Sequence, residues 1–310
     1  MSSFLPLITL LGPTAVGKTR LAAVLAHRIG GEVISADSRQ VFRGMDIGTG
    51  KDLADYRVDG TDIPAHLLDV ADVGTEYSVF SFLRDFGTAW NDIRKRNHQP
   101  VVCGGTGLYL AALLKGYDMI EVPLNEEFRK SVEDKPDDEL AAMLERMKPL
   151  HNTTDTVERE RIIRALEIEL HRTSGQKSEL PDFSGSPVFG LRFDRSIIRD
   201  RITNRLHSRM ESGMIDEVKL LLDQGITPER LIRYGLEYRF VTRYLIGELE
   251  YGEMVGLLNT AIHQFAKRQM TWFRKMEREG IHIHWLEGEK GKRYNLEIML
   301  AVITHWQAKS

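Results

Sequence analysis

At 310 residues the chain can bury a full hydrophobic core and still carry a smaller insertion or subdomain. With 42% hydrophobic and 28% charged residues and a formal net charge of −3, the composition is ordinary globular and excludes a globally basic nucleic-acid binder, so any basic surface must be local. The single cysteine, Cys103, excludes an internal disulfide, and no apolar run approaches the ~18 residues of a membrane helix, so a cytoplasmic protein is expected.

The apolar run Leu7 to Leu11 reads as a strand, followed by Gly12-Pro13-Thr14-Ala15-Val16-Gly17-Lys18-Thr19 and a helical pattern from Leu21. This is a complete phosphate-binding loop in its required strand–loop–helix setting. Its glycines let successive N–H groups turn toward phosphate oxygens, Lys18 should reach the terminal phosphate, and Thr19 should hold Mg²⁺. Diphosphates satisfy such a loop as well as nucleoside triphosphates do. Gly30-Gly31 reads as a stop, and Glu32 to Ala36 as a strand that delivers Asp37 to the same crevice. Residues 37–49 mix hydroxyl, amide and guanidinium groups without a clean period, a costly loop to order unless it has work to do.

Pro64 to Asp69 reads as a short strand and Ser78 to Ile93 as a helix. Pro100 to Cys103 reads as a buried strand that leads through Gly104-Gly105-Thr106-Gly107 into another helix, with Cys103 assigned to the core. From Tyr117 the composition shifts to short charged helices between prolines, with candidates at 126–133, 137–148 and 157–173. Arg159, Arg161, Arg164 and His171 there read most simply as a solvated face balanced by acids. Val188 to Phe193 returns as a strand. Arg201, Arg205 and Arg209 then repeat beside the apolar stripe Ile198, Ile202, Leu206, well placed for phosphate.

Helical patterns at 215–222 and 240–246 lead to the helix Ala261 to Arg278, with Ile262, Phe265, Ala266, Phe273 and Met276 as its core stripe and Lys267 and Arg268 on a basic face. That face, with Trp272, suits an RNA backbone as well as it suits solvent. Ile281 to Leu286 alternates like a strand, and Leu296 to Trp306 closes the chain as a helix. His282 and His284 have no third ligand at a recognisable spacing, so no zinc is expected. The expected fold is α/β: a parallel-sheet core over 1–116 and 188–310, interrupted by an all-helical insertion over 117–187.

Taken together, GPTAVGKT at 12–19, ADSRQVFRGMDIGTGK at 36–51, PAHLLD at 64–69, GGTGLY at 104–109, ERIIRALE at 160–167 and AKRQMTWFR at 266–274 resemble the tRNA dimethylallyltransferases. The stretches occur in the family's order across nearly the whole chain. The resemblance implies transfer of a dimethylallyl group from dimethylallyl diphosphate to N6 of the adenosine immediately 3′ of the anticodon, with Mg²⁺ as cofactor, a monomeric enzyme, and an insertion that grips the anticodon stem-loop. It also implies that Asp37 is the general base, that Ser38, Arg39, Gln40, Thr106 and Arg129 contact tRNA, and that Arg201 binds the diphosphate. Arg161, Arg164, Lys267 and Arg268 are further tRNA candidates. Glu160, Tyr234-Gly235-Leu236-Glu237-Tyr238-Arg239 and Ile262-His263 depart from the family's usual residues, all toward RNA-contacting regions. A small-molecule kinase and a non-catalytic RNA-binding module are the competing readings, the second disfavoured by the presence of Lys18, Thr19 and Asp37 together.

Overall fold

The apolar runs without polar alternation form the middle of a parallel sheet covered on both faces. The computed structural model describes residues 7–116, 122, 124–147, 159–171 and 180–308, and it divides into two compact units, Met1–Gly116 with Leu180–Ser310, and Tyr117–Glu179.

In the larger unit, β1 (Ile8–Leu11), β2 (Gly31–Ala36) and β6 (Gln99–Gly104) are buried at every residue. With β5 (Ala65–His66), β7 (Val188–Arg192) and β8 (Ile283–Glu287) they make a six-stranded sheet in the order β5-β2-β6-β1-β7-β8, every pair parallel. A two-residue hairpin pair, β3 (Arg57–Val58) and β4 (Thr61–Asp62), stands apart from it. Side chains of Ile8, Leu10, Val33, Val101 and Cys103 share a core with α1 (Lys18–Ile29) and α12 (Gly291–Gln307), while α2 (Val79–Lys95) also packs on β2 and β6. α2 starts where Ser78 Oγ accepts the Ser81 N–H at 3.1 Å, a side-chain cap on an otherwise orphan donor.

Helices α7 (Arg195–Glu211), α8 (Met214–Asp223), α9 (Pro228–Leu231), α10 (Leu236–Leu245) and α11 (Tyr251–Arg278) surround a second core that includes Val41, Phe42 and Met45. α3 (Gly107–Leu114) follows β6 and packs against α2 and α11.

Several boundaries differ from the sequence reading. The expected strand over 64–69 shrinks to Ala65–His66 because Leu67 and Asp69 take positive φ values of 61° and 54°. The basic helix does not begin at Ala261: the stretch from there is the C-terminal part of the 28-residue α11, which starts at Tyr251. Gly30, with φ 64°, ends α1 as expected, but Gly31 already belongs to β2.

The smaller unit contains α4 (Glu126–Ser131), α5 (Asp137–Met147) and α6 (Arg159–His171), closed around Val132, Leu140, Leu144, Ile162 and Leu166. Its charges are not simply a solvated face. Glu167 has no exposed side chain and accepts from Arg129 Nε at 2.8 Å, Arg164 Nη1 at 2.9 Å and the Asn125 N–H at 3.0 Å. Burial pushes this carboxyl up, but those hydrogen bonds outweigh it and hold the group down at about 2. Arg159 donates to the carbonyls of Val132, Glu133 and Lys135, tying α6 to the end of α4. The expected helical stretches at 157–158, 148 and 172–173 lie outside the described residues.

Candidate active site

The loops after β1 and β2 and the last residues of β6 meet at one cavity of about 760 Å³, at the carboxyl ends of the strands where ligands of open parallel sheets bind. Thr14 to Thr19, Asp37, Arg39, Gln40, Arg201 and Arg268 all line it. Residues far apart in sequence thus share one chamber.

The phosphate loop takes its shape from two left-handed residues, Ala15 at φ 64° and Gly17 at φ 80°. Gly17 adopts this without a steric cost, whereas Ala15 must be held there by its surroundings. Arg201 does part of that: its Nε donates to the Ala15 carbonyl at 2.7 Å, and its guanidinium lies 4.7 Å over the Phe193 ring. Arg205 continues the ladder, donating to Thr14 Oγ1 at 3.3 Å and Asp52 at 2.7 Å. Arg209, 3.7 Å from Glu237, completes a cationic wall on one helix face, and burial pushes its guanidinium down to about 10. Burial also lowers Lys18, whose Nζ donates to the Pro13 carbonyl at 3.3 Å. An oxyanion entering here would meet two cations, Lys18 and Arg209, already stripped of much of their water.

Not every loop N–H is free for a ligand. The Thr14 N–H donates to Gln269 Oε1 at 2.8 Å, and Gln269 Nε2 donates to the Gly105 carbonyl at 3.0 Å, so one buried amide joins the phosphate loop, the turn after β6 and α11. Gln269 was missed by the sequence reading although it carries a signal. Ile262, Ala266, Gln269, Phe273 and Met276 form an unbroken 4-3-4-3 buried stripe with one polar member. Phe265, assigned to that stripe, is instead 38% exposed and lines the cavity.

Asp37 follows β2 in an Asx turn, its Oδ1 accepting the Arg39 N–H at 2.9 Å. Beside it the Ser38 N–H donates to Thr106 Oγ1 at 3.0 Å, which joins the β2 and β6 loops. Gln40 Nε2 donates to the Gly50 carbonyl at 2.9 Å, stitching the far end of the irregular loop to its start. Buried Lys51 anchors the same loop, donating to the Phe42 carbonyl at 2.5 Å, to Asp46 at 2.9 Å and to Asp69. Cys103 is buried as expected of a core residue, and burial pushes its thiol up to about 12, out of reach of nucleophilic chemistry near neutral pH.

Gly12 and Pro13 are buried behind the loop rather than on the cavity wall, and Ser38, Thr106 and Lys267 are not among the lining residues. Arg129, Arg161 and Arg164 belong to the smaller unit, where Arg129 and Arg164 share Glu167 and Arg161 is exposed. For Mg²⁺ the cavity offers hard oxygen donors, the Thr19 hydroxyl and the Asp37 carboxylate, which fit that ion's preference.

The family model for IPP transferases matches residues 40–276. A tRNA dimethylallyltransferase of Porphyromonas gingivalis is 54% identical over 283 residues, covering 91% of this chain and 93% of the relative. One from Parabacteroides distasonis is 51% identical over 286 residues, with 91% and 92% covered. Among solved structures, the tRNA isopentenylpyrophosphate transferase of Bacillus halodurans superposes with a TM-score of 0.68 at 29% identity over 97% of this chain and 98% of its own. A eukaryotic dimethylallyltransferase acting on tRNA reaches a TM-score of 0.74 at 25% identity, over 91% of this chain and 73% of its own. These relatives support the transferase reading and not the kinase alternative. With its central 237 residues matched by the family model and relatives above half identity along nearly its full length, the chain belongs to the IPP transferase family.

Proposed function

We propose that this protein transfers the dimethylallyl group of dimethylallyl diphosphate to N6 of the adenosine immediately 3′ of the anticodon in tRNA, releasing diphosphate. The observation that carries this reading is the meeting of a phosphate loop, an arginine ladder and Asp37 around one cavity, in a chain whose relatives are named tRNA dimethylallyltransferases.

Chemically, the N6 amine is a weak nucleophile because its lone pair is delocalised into the ring. As N6 forms its bond to C1 of the donor, the C1–O bond breaks, the electron pair leaves with diphosphate, and Asp37 takes the N6 proton. Lys18, Arg201 and Arg205 hold the charge that develops on the departing oxygens, preorganised as they are in a partly desolvated wall. Mg²⁺, held through Thr19, would supply additional charge neutralisation of the diphosphate when bound. The adenine must leave its stack to reach Asp37, which calls for a grip on the surrounding RNA. We assign that grip to Ser38, Arg39, Gln40, Thr106, Lys267 and Arg268 in the larger unit and to Arg129, Arg161 and Arg164 in the smaller one. Arg129 and Arg164 would then act while also paired to Glu167. The reading places the enzyme in the cytoplasm as a monomer; among the described residues no helix is long and apolar enough to cross a membrane.

Incubation with unmodified tRNA and labelled dimethylallyl diphosphate, followed by nucleoside analysis, tests the reading. Label on N6 of the adenosine 3′ of the anticodon is expected, and its absence overturns the proposal. Asp37→Asn should bind donor as the parent does but transfer at least ~100-fold more slowly in single turnover. Near-parental transfer would remove Asp37 from the role of base.

A further inference from the structure

Loop 37–51 supplies one wall of the cavity, yet Asp46, Ile47 and Gly48 present three consecutive N–H groups to no strand or helix partner. All three are gathered by one side chain on α8. Glu217 Oε2 accepts the N–H groups of Asp46 at 2.9 Å and Ile47 at 2.7 Å, and its Oε1 accepts that of Gly48 at 3.0 Å. The Tyr238 hydroxyl, from α10, donates to the same Oε1 at 2.6 Å. Four donors around one acceptor-only group form a nest that a carboxylate fits and an amide does not, because an amide turns one of its edges into a donor.

The nest is coupled to the reacting groups by short links. Gly48, Thr49 and Gly50 line the cavity, the Gly50 carbonyl accepts from Gln40, and Gln40 stands three residues from Asp37. Beside Glu217 the Tyr238 ring bears on Gly48 so closely that a Cβ there would lie 2.7 Å from it. Loop position is therefore set jointly by a polar clamp and a steric stop. Glu217 itself is not among the cavity-lining residues.

We infer that Glu217, braced by Tyr238, is a positioning residue for transfer: it fixes the Asp46–Gly50 wall, and through Gln40 the Asp37 end of the loop, without touching donor or tRNA. The inference rests on the proposed transferase reading. Its signature is a loss in the rate of transfer that outruns any change in donor binding, since the phosphate loop is held through Gln269 and Arg201, and Arg205 keeps its bond to Thr14.

The test is single-turnover transfer to unmodified tRNA, paired with calorimetric titration of dimethylallyl diphosphate in the absence of tRNA, for the parent, Glu217→Ala, Glu217→Gln and Gly48→Ala. Displacement of the wall by about an ångström should slow transfer by Glu217→Ala about 10- to 100-fold while donor Kd stays within about threefold. Glu217→Gln, which can still accept from two of the N–H groups, should recover part of the rate. Gly48→Ala, pushed off Tyr238, should reproduce the Glu217→Ala pattern, and it carries the test if Glu217→Ala fails to fold. Parental transfer by Glu217→Ala overturns the inference alone. Losses of rate, donor affinity and thermal midpoint that run in parallel across the variants also overturn it, since they describe a structural residue. No transfer by the parent overturns the functional reading and this inference with it.

Discussion

Replacing Gln269 by Leu should separate the phosphate loop from the turn after β6 and destabilise the larger unit. Leucine keeps the volume close but removes the acceptor of the Thr14 N–H at 2.8 Å and the donor to the Gly105 carbonyl at 3.0 Å. The site is 5% exposed, so neither orphan gains bulk water as a partner. A buried group left unsatisfied costs about 1–3 kcal/mol, and two neighbours that share one substitution add less than fully. Relief of burying the amide itself offsets part of this, which leaves about 2–4 kcal/mol. For a unit of this size that corresponds to a fall of roughly 5–12 °C in the thermal midpoint. Donor affinity should weaken with it, because Thr14 also anchors Arg205. Circular dichroism melting with calorimetric titration of dimethylallyl diphosphate reads both quantities. A melting midpoint within about 2 °C of the parent, together with unchanged donor affinity, would refute the claim that this amide joins the two loops.

Other outcomes follow from the same contacts. Lys18→Ala should weaken dimethylallyl diphosphate binding and nearly abolish transfer, and unchanged turnover at saturating donor would remove Lys18 from the phosphate cradle. Lys51→Met should cost about 1–3 kcal/mol, read by urea unfolding. That is less than a fully buried pair, because its partners Asp46 and Asp69 keep about half their exposure while the Phe42 carbonyl loses its donor. Acid should weaken the smaller unit: the Glu167 carboxyl is held at about 2 against an ordinary 4.5, so its contribution is present above 4.5 and lost as pH falls toward 2. Glu167→Gln should flatten that part of the pH–stability curve, measured by helical circular dichroism, and an unaltered curve would mean that another group governs the transition.

The elements that sequence made legible are those with strong periodicity or an obligatory motif. β1, β2 and β6 read correctly because a central parallel strand is apolar at every position, and the phosphate loop because its glycines and Lys18 have few other uses. The assignment of Asp37 to the crevice followed from topology alone, as a residue just beyond a central strand. What stayed hidden depended on tertiary partners. β5 lost most of its expected length to positive φ at Leu67 and Asp69, which no local pattern announces. Phe265 looked like core until the register of α11 turned it to the cavity, and Glu217 carries no signal on an ordinary amphipathic helix. Gln269 was within reach: a single amide at a core position of a buried stripe must find partners, and the nearest backbone to need them is a functional loop.

On the proposed reading, donor binding and proton transfer fall to different loops, and the contacts around the cavity fit that division. Arg201 and Arg205 are already engaged by backbone and by Asp52, so the arginine ladder is held in shape before any ligand arrives. A diphosphate that replaces Asp52 on Arg205 exchanges one anion for another, and the wall need not reorganise. Asp37 sits on a separate loop tied to Thr106 through Ser38 and to Gly50 through Gln40, and that loop meets the arginines only at its far end, where Gly50 packs on Arg205 and Arg209. On the proposed reading, the base follows β2 and the phosphate loop follows β1, so the two chemistries come from different loops into one chamber.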